Sequence, residues 1–126
     1  MAHILIVDDE AMLRRTLRAI LEKGGHKVSE AGDGKRAIEM FTADKPDLVL
    51  TDIIMPNREG IETIGELRRQ DPHLPIIAMS GGGRTSAELF LTLASNLGAT
   101  TTLAKPIRQA ELIAAIDASL SGAAPP

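Results

Sequence analysis

Residues able to do chemistry follow four separate apolar runs of this sequence. Two adjacent carboxylates, Asp8 and Asp9, come directly after the first run, and Asp52 follows a later one. Ser80 and Lys105 stand at the ends of two further runs. Carboxylates held close together repel one another, and a hard divalent cation relieves that repulsion. A set of oxygen ligands without His or Cys predicts Mg²⁺ rather than zinc.

This set of residue types is typical of phosphoryl transfer. A carboxylate can attack phosphorus, a metal ion neutralises charge, and an ammonium and a hydroxyl can bind the oxygens of the transferred group. Each motif alone has a plainer interpretation. Asp8-Asp9-Glu10 could simply stabilise the start of a helix, Asp52 could begin a turn, and Lys105-Pro106 could end a strand. The chemistry therefore depends on elements that bring the four places together.

Alternating hydrophobic periodicities predict those elements. Short apolar runs predict five strands, at residues 4–7, 26–31, 48–50, 76–79 and 100–104. Apolar residues at helical spacing predict a helix after each strand, beginning near Leu13, Ala37, Ile61, Leu89 and Leu112. Strands and helices in alternation indicate a parallel sheet covered by helices on both faces. Ligands of such sheets bind at the carboxyl ends of the strands, where all the polar residues above would lie.

In their order along the chain, these motifs resemble the receiver domain of bacterial response regulators. The resemblance is carried by Asp8-Asp9-Glu10, Asp52-Ile53-Ile54-Met55-Pro56 with Gly60, Met79-Ser80-Gly81 and Lys105-Pro106, and it extends from residue 3 to about residue 120. It implies a flavodoxin-like (βα)5 three-layer sandwich whose parallel sheet has the order 2-1-3-4-5. One receiver domain would then span residues 1–120, and residues 121–126 would form a flexible tail or the start of a linker.

The resemblance also implies roles for the acidic residues. Asp52 would be the phosphoacceptor, taking a phosphoryl group from a phosphohistidine on a sensor histidine kinase or histidine phosphotransfer protein. Asp9, Asp52 and the backbone carbonyl of Ile54 would bind Mg²⁺ directly, and Asp8 would act through metal-bound water. Mn²⁺ or Ca²⁺ would be able to substitute. The domain would be regulatory rather than an enzyme, catalysing only its own phosphorylation and dephosphorylation.

By the same resemblance, Ser80 and Lys105 would each bind a phosphoryl oxygen. The Lys105–Pro106 bond would be cis, a state that only bonds before proline reach at modest cost. Receivers commonly carry Tyr or Phe three residues before the lysine, but this chain has Thr102 there. The usual aromatic switch is therefore absent. We expect the signal to travel through Ser80 and the glycine-rich loop at Gly81 and Gly82, mobile before phosphorylation and ordered after it.

Composition narrows the classes of partner. The 14 basic and 17 acidic side chains give a net charge of −3, which lacks the basic footprint of a nucleic-acid-binding protein. Two Phe are the only aromatic residues, too few for base stacking. No apolar run approaches ~18 residues and no signal peptide precedes the first strand, so we expect no membrane insertion and a cytoplasmic location. The arginines Arg14, Arg15 and Arg18 are interpreted as a solvated helix face, with contact to an acidic partner as the alternative.

Three functions remain open at this stage. Besides the phosphoacceptor, the chain could be a receiver-like scaffold that binds a partner without phosphorylation. It could also be a phosphatase with an aspartyl nucleophile, although such enzymes want a second Asp two residues after the nucleophile, where this chain has Ile54. The downstream protein target is not indicated. A homodimer could form through the face of the fourth helix, fifth strand and fifth helix.

Overall fold

The computed structural model describes residues 2–52, 59–80 and 101–121. The strands are β1 (His3–Val7), β2 (Lys27–Ala31), β3 (Leu48–Asp52), β4 (Ile76–Ser80) and β5 (Thr101–Ala104). The helices are α1 (Ala11–Lys23), α2 (Gly34–Ala43), α3 (Glu59–Gln70) and α4 (Gln109–Leu120). The helix expected near residues 89–97 lies outside the described residues.

The five strands form one parallel sheet in the order β2-β1-β3-β4-β5. This order confirms the predicted flavodoxin-like fold class. The two innermost pairings join β1 to β3 and β3 to β4, so the strands that end at the acidic residues occupy the middle of the sheet. The chain enters each strand from the same side, and all five strands therefore end at one edge.

Alternation along the strands divides the core into two halves. Ile4 and Ile6 of β1 pack on one face of the sheet, where the buried residues of α1 and α4 cover them. Leu5 and Val7 pack on the other face, beneath the buried residues of α2 and α3. A strand buried on both faces is apolar throughout, as β1 and most of β3 are. This double burial holds the strand ends rigidly.

Local sequence determines where the helices begin and end. The Asp33 side chain accepts a hydrogen bond of 2.8 Å from the Arg36 amide and thereby caps α2. Helix α1 ends at Lys23 with Gly24 as its C-cap, and Gly25 adopts φ +93°, a left-handed conformation that glycine reaches without strain. Among the described helices, none has the length and apolar character needed to cross a membrane.

Candidate functional site

The predicted site residues of the described chain meet at the carboxyl edge of the sheet. Asp8 and Asp9 follow the last residue of β1, and Asp52 is the last residue of β3. Ser80 ends β4, where its backbone pairs with Ala104, the residue before Lys105. The parallel register thus brings together residues that are far apart in the chain.

Lys105 joins the two buried carboxylates of this edge. Its Nζ donates a hydrogen bond of 2.9 Å to Oδ2 of Asp8 and one of 3.0 Å to Oδ2 of Asp52. The Asp8 side chain is fully buried, and only 4% of the Asp52 side chain is exposed. Two carboxylates removed from water need a compensating charge, and the ammonium supplies it at hydrogen-bonding distance.

The same geometry controls the protonation of the lysine. Burial acts to lower the pKa of the Lys105 ammonium. The hydrogen bonds to Asp8 and Asp52, and the negative charges of both carboxylates, outweigh burial and hold that pKa above its ordinary value. Lys105 is therefore a permanent cation in this site at neutral pH.

Three carboxylates here are close enough to share a metal ion. Asp8, Asp9 and Asp52 each offer one carboxylate oxygen, and the three atoms lie within 4.8 Å of one another. Asp9 is exposed, so the cluster is open to solvent on its side while the other two carboxylates are buried. Carboxylate oxygens with solvent access fit Mg²⁺, which keeps several waters when it binds to proteins. The residues present therefore fit the predicted cation.

Local hydrogen bonds orient the Asp8 side chain. Its Oδ1 accepts a hydrogen bond of 2.8 Å from the Glu10 amide, which leaves Oδ2 to face Lys105. Glu10 is the N-cap residue of α1, but its side chain makes no capping hydrogen bond. Asp8 thus does more than the helix-stabilising role of the plainer interpretation, because the same carboxylate contacts a residue from the other end of the chain.

Sequence analysis missed one contact of the site. The interpretation of Arg14 as part of a solvated helix face is wrong, because its side chain is only 19% exposed. It hydrogen-bonds the backbone carbonyl of Asp8 and pairs with Glu30 on β2. The predicted strand order already placed β2 beside β1, but no pattern along the chain shows that the Arg14 side chain contacts the Asp8 carbonyl and Glu30. Of the three arginines, Arg15 is exposed, as expected, and Arg18 is half-buried.

The strand order and the acidic edge agree with the comparison to known proteins. The family model of the response regulator receiver domain matches residues 4–117. The chain belongs to this family. Receiver domains are regulatory modules of two-component response regulators, and they bind Mg²⁺ at a cluster of aspartates.

Individual receiver proteins show how far the similarity extends. Chemotaxis protein CheY of Thermotoga maritima is 36% identical over 116 residues, covering 91% of this chain and 94% of that protein. Transcriptional regulatory protein PdtaR of Mycobacterium tuberculosis is 35% identical over 94% of this chain, which spans only 57% of PdtaR. The crystal structure of chemotaxis protein CheY4 of Vibrio cholerae superposes with a TM-score of 0.86 at 29% identity, covering 95% of this chain and 99% of that one.

Two other predicted features of this receiver domain, at Thr102 and at the Lys105–Pro106 bond, lie in β5 or directly after it. Thr102 is half-buried and pairs with Ala78 of β4. The Lys105–Pro106 peptide bond is cis. Ile54, Gly81 and Gly82 lie outside the described residues, and so does the loop expected to order on phosphorylation. Of Ser80, the backbone position at the end of β4 is described.

Proposed function

We propose that this receiver domain accepts a phosphoryl group on Asp52. The observation that carries the proposal is the Lys105 ammonium held between the carboxylates of Asp8 and Asp52, beside the exposed Asp9. A nucleophile, a fixed cation and open metal ligands are thus assembled at one edge. Positioning and charge neutralisation supply most of the catalysis in phosphoryl transfer.

In the proposed reaction, the phosphoryl group moves from a histidine nitrogen of the donor to a carboxylate oxygen of this domain. A carboxylate oxygen of Asp52 attacks the phosphorus of a phosphohistidine on a histidine kinase or histidine phosphotransfer protein. The new P–O bond forms as the P–N bond breaks, and the departing imidazole nitrogen takes a proton from solvent. Lys105 neutralises charge on the transferred oxygens, and the hydroxyl of Ser80 is proposed to donate a hydrogen bond to another of them.

Asp9 and Asp52 are proposed to hold Mg²⁺ directly, together with the backbone carbonyl of Ile54, and Asp8 is proposed to do so through water. Mn²⁺ and Ca²⁺ are proposed as substitutes. When bound, the ion supplies positive charge that offsets the negative charge of the attacking carboxylate and the phosphoryl oxygens. Asp8 also keeps Lys105 in place through their 2.9 Å hydrogen bond.

The signal is proposed to leave the domain by protein–protein contact. Phosphorylated Asp52 would change the region of Ser80, Gly81 and Gly82, with Thr102 in place of an aromatic switch residue. The partners would be a histidine kinase or phosphotransfer protein and a downstream protein target in the cytoplasm. A homodimer is also proposed, through the helix predicted near Leu89 together with β5 and the last helix, α4. Direct nucleic-acid binding is not proposed.

Intact-mass analysis tests the acceptor and its site. The chain is incubated with acetyl phosphate, a small donor that requires no partner, with and without Mg²⁺. We expect one added phosphoryl group in the wild type with Mg²⁺, and none in Asp52→Asn or with a chelator. Asp44→Asn is the matched control, because Asp44 is an exposed aspartate beside Lys27, away from the site, and should be modified like the wild type.

The other outcomes distinguish the alternatives. Modification that persists in Asp52→Asn would assign the acceptor to another residue. No modification by acetyl phosphate or by a panel of phosphorylated histidine kinases would favour the unphosphorylated scaffold. Steady release of phosphate from a small phosphoester, without accumulation of phosphoprotein, would favour the aspartyl phosphatase.

A further inference from the structure

The peptide that joins Asp8 to Asp9 is held by a side chain that no step of the proposed reaction uses. The Arg14 Nη1 atom donates a hydrogen bond of 2.5 Å to the carbonyl of Asp8. The preceding peptide, between Val7 and Asp8, is held as well, because the Asp8 amide donates a hydrogen bond of 3.1 Å to the carbonyl of Ala31, at the end of β2. Because a peptide unit is planar, fixing the Asp8 carbonyl also fixes the direction in which the chain continues to Asp9.

Arg14 is itself held in place by a second anchor. Its Nε donates a hydrogen bond of 3.1 Å to Oε1 of Glu30, while Arg18 binds the other oxygen, Oε2, at 3.1 Å. Both oxygens of Glu30 are therefore engaged by cations, which restrains the carboxylate. The Arg14 guanidinium also lies against Gly32, where an added Cβ would be 3.4 Å from Nη1. That distance is an ordinary van der Waals contact, so a Cβ alone fits, whereas the further carbons of a leucine at position 32 would compete with the guanidinium for this space.

We infer that Arg14 is a positioning residue for the metal ligands, acting through the Asp8 carbonyl. Asp9 is exposed and has little packing of its own to fix it relative to Asp8 and Asp52. The Arg14 contact limits the directions that the Asp9 carboxylate can take. Groups that orient metal ligands in this way, without touching the metal, are worth about 10–100-fold in affinity. The inference rests on the proposed metal-dependent function.

A positioning role and a pure charge effect predict opposite changes in metal affinity when Arg14 is replaced, which makes the inference testable. Arg14 is a cation in contact with the backbone carbonyl of Asp8, one of the three clustered aspartates, so as a charge alone it repels an incoming metal ion. Removing it would then tighten metal binding, and exchanging it for lysine would change little. As a positioning residue, it requires two donors with fixed separation, one for Asp8 and one for Glu30. Lysine keeps the charge but has only one donor centre, so binding should weaken.

The probe is Mn²⁺ bound by the full chain, with free Mn²⁺ followed by electron paramagnetic resonance. The chain contains neither Trp nor Tyr, so intrinsic fluorescence from those residues is not available as a readout. We expect Arg14→Lys to weaken Mn²⁺ binding by about tenfold. Arg18→Met, which loses a contact to the same Glu30 but touches no atom of Asp8 among the described contacts, should stay within about twofold of the wild type.

A kinetic readout separates positioning from loss of structure. In phosphorylation by acetyl phosphate, Arg14→Lys should raise the half-saturating Mg²⁺ concentration about tenfold and leave the rate at saturating Mg²⁺ close to that of the wild type. Circular dichroism checks that the variant is folded at the assay temperature. If it is not, Gly32→Leu displaces the guanidinium without changing any charge and should weaken Mn²⁺ binding in the same direction.

Two results would overturn the inference. One is Mn²⁺ affinity of folded Arg14→Lys and Gly32→Leu equal to that of the wild type. The other is tighter binding by Arg14→Met together with unchanged binding by Arg14→Lys, which would leave only a charge effect. Failure of the proposed function is recognised separately, because the wild type itself would then neither bind Mn²⁺ nor take up a phosphoryl group.

Discussion

Nζ of Lys105 lies 2.9 Å from Oδ2 of Asp8, although 97 residues separate the two in the chain. The same ammonium lies 3.0 Å from Oδ2 of Asp52, which ends the neighbouring strand. A single cation thus compensates the buried carboxylates contributed by two strands. Its position implies that the domain tolerates its acidic edge without metal, and that a bound metal ion adds charge to a site that is already partly neutralised.

Removing the ammonium should destabilise the metal-free domain. Lys105→Met leaves two buried carboxylates without their partner, and we expect a loss of about 3 kcal/mol in the free energy of unfolding. Saturating Mg²⁺ should recover much of this loss, because a second cation then compensates the same oxygens. Urea unfolding with and without Mg²⁺ measures both values. Lys27→Met, which removes an exposed pair with Asp44, should cost under about 0.5 kcal/mol in either condition.

The raised pKa of Lys105 predicts a specific alkaline dependence. A group whose pKa is higher in the folded state than the ordinary 10.5 contributes full stability below that value. The contribution disappears as the pH rises through the folded-state pKa, since the native state then loses the proton that it held more tightly. In metal-free urea unfolding between about pH 9 and pH 12, the stability gap between wild type and Lys105→Met should therefore narrow. A stability difference between wild type and Lys105→Met that stays constant over this pH range would contradict a raised pKa of Lys105.

Replacing Asp9 should weaken Mg²⁺ binding without changing the stability of the fold. Asp9→Asn changes an exposed side chain, so the free energy of unfolding should move by less than about 0.5 kcal/mol. Mg²⁺ affinity should nevertheless fall by at least about tenfold, because a charged oxygen ligand becomes a neutral one. Isothermal titration calorimetry with Mg²⁺ measures the affinity, with Asp44→Asn as the control. Equal affinities for Asp9→Asn and the wild type would remove Asp9 from the proposed ligand set.

The opposite end of the sheet contains an ion pair that should respond to acid. The Lys45 ammonium, 2.6 Å from Asp71, and the amide of His73 together hold the pKa of Asp71 below its ordinary 3.8. Because the folded-state pKa is lowered, this stability is present above the ordinary value and is lost as the pH falls through the folded-state pKa. Asp71→Asn should cost under about 1 kcal/mol near neutral pH, since Lys45 is well exposed.

The decisive measurement is how the destabilisation caused by Asp71→Asn changes as the pH falls. Urea unfolding of wild type and Asp71→Asn from about pH 7 to pH 2 should show the two stabilities converging at the acidic end. An NMR titration of the Asp71 carboxyl carbon gives the midpoint directly. A midpoint at or above 3.8 would show that the contact with Lys45 does not favour the carboxylate.

The alternation of strands and helices was predictable because its periodicities are local, and the strand order followed from the resemblance to receiver domains. Strand β1 is apolar on both faces and is followed at once by charged residues, which is typical of a central parallel strand. Strands β2 and β5 each begin one residue later than predicted and end at the predicted residue. Helix α3 begins at Glu59, two residues before its first apolar residue, because a polar first turn gives no periodic signal.

Part of the candidate site was also predictable from the sequence. That Asp8, Asp9, Asp52, Ser80 and Lys105 stand at strand ends follows from the sequence, because hydrophobic runs mark where strands stop and residue types limit the chemistry. Parallel strands alone then predict that these residues share one edge.

Only the tertiary structure decides which of these residues touch and what else holds them. Lys105 reaches Asp8 and Asp52 because β5 and the turn after it bring a long side chain over two neighbouring strand ends. The predicted strand order places β2 beside β1, but only the packed side chains show that Arg14 binds both the Asp8 carbonyl and Glu30. Hydrogen bonds form over about 3 Å, and positions at that scale are set by packing among elements distant in sequence.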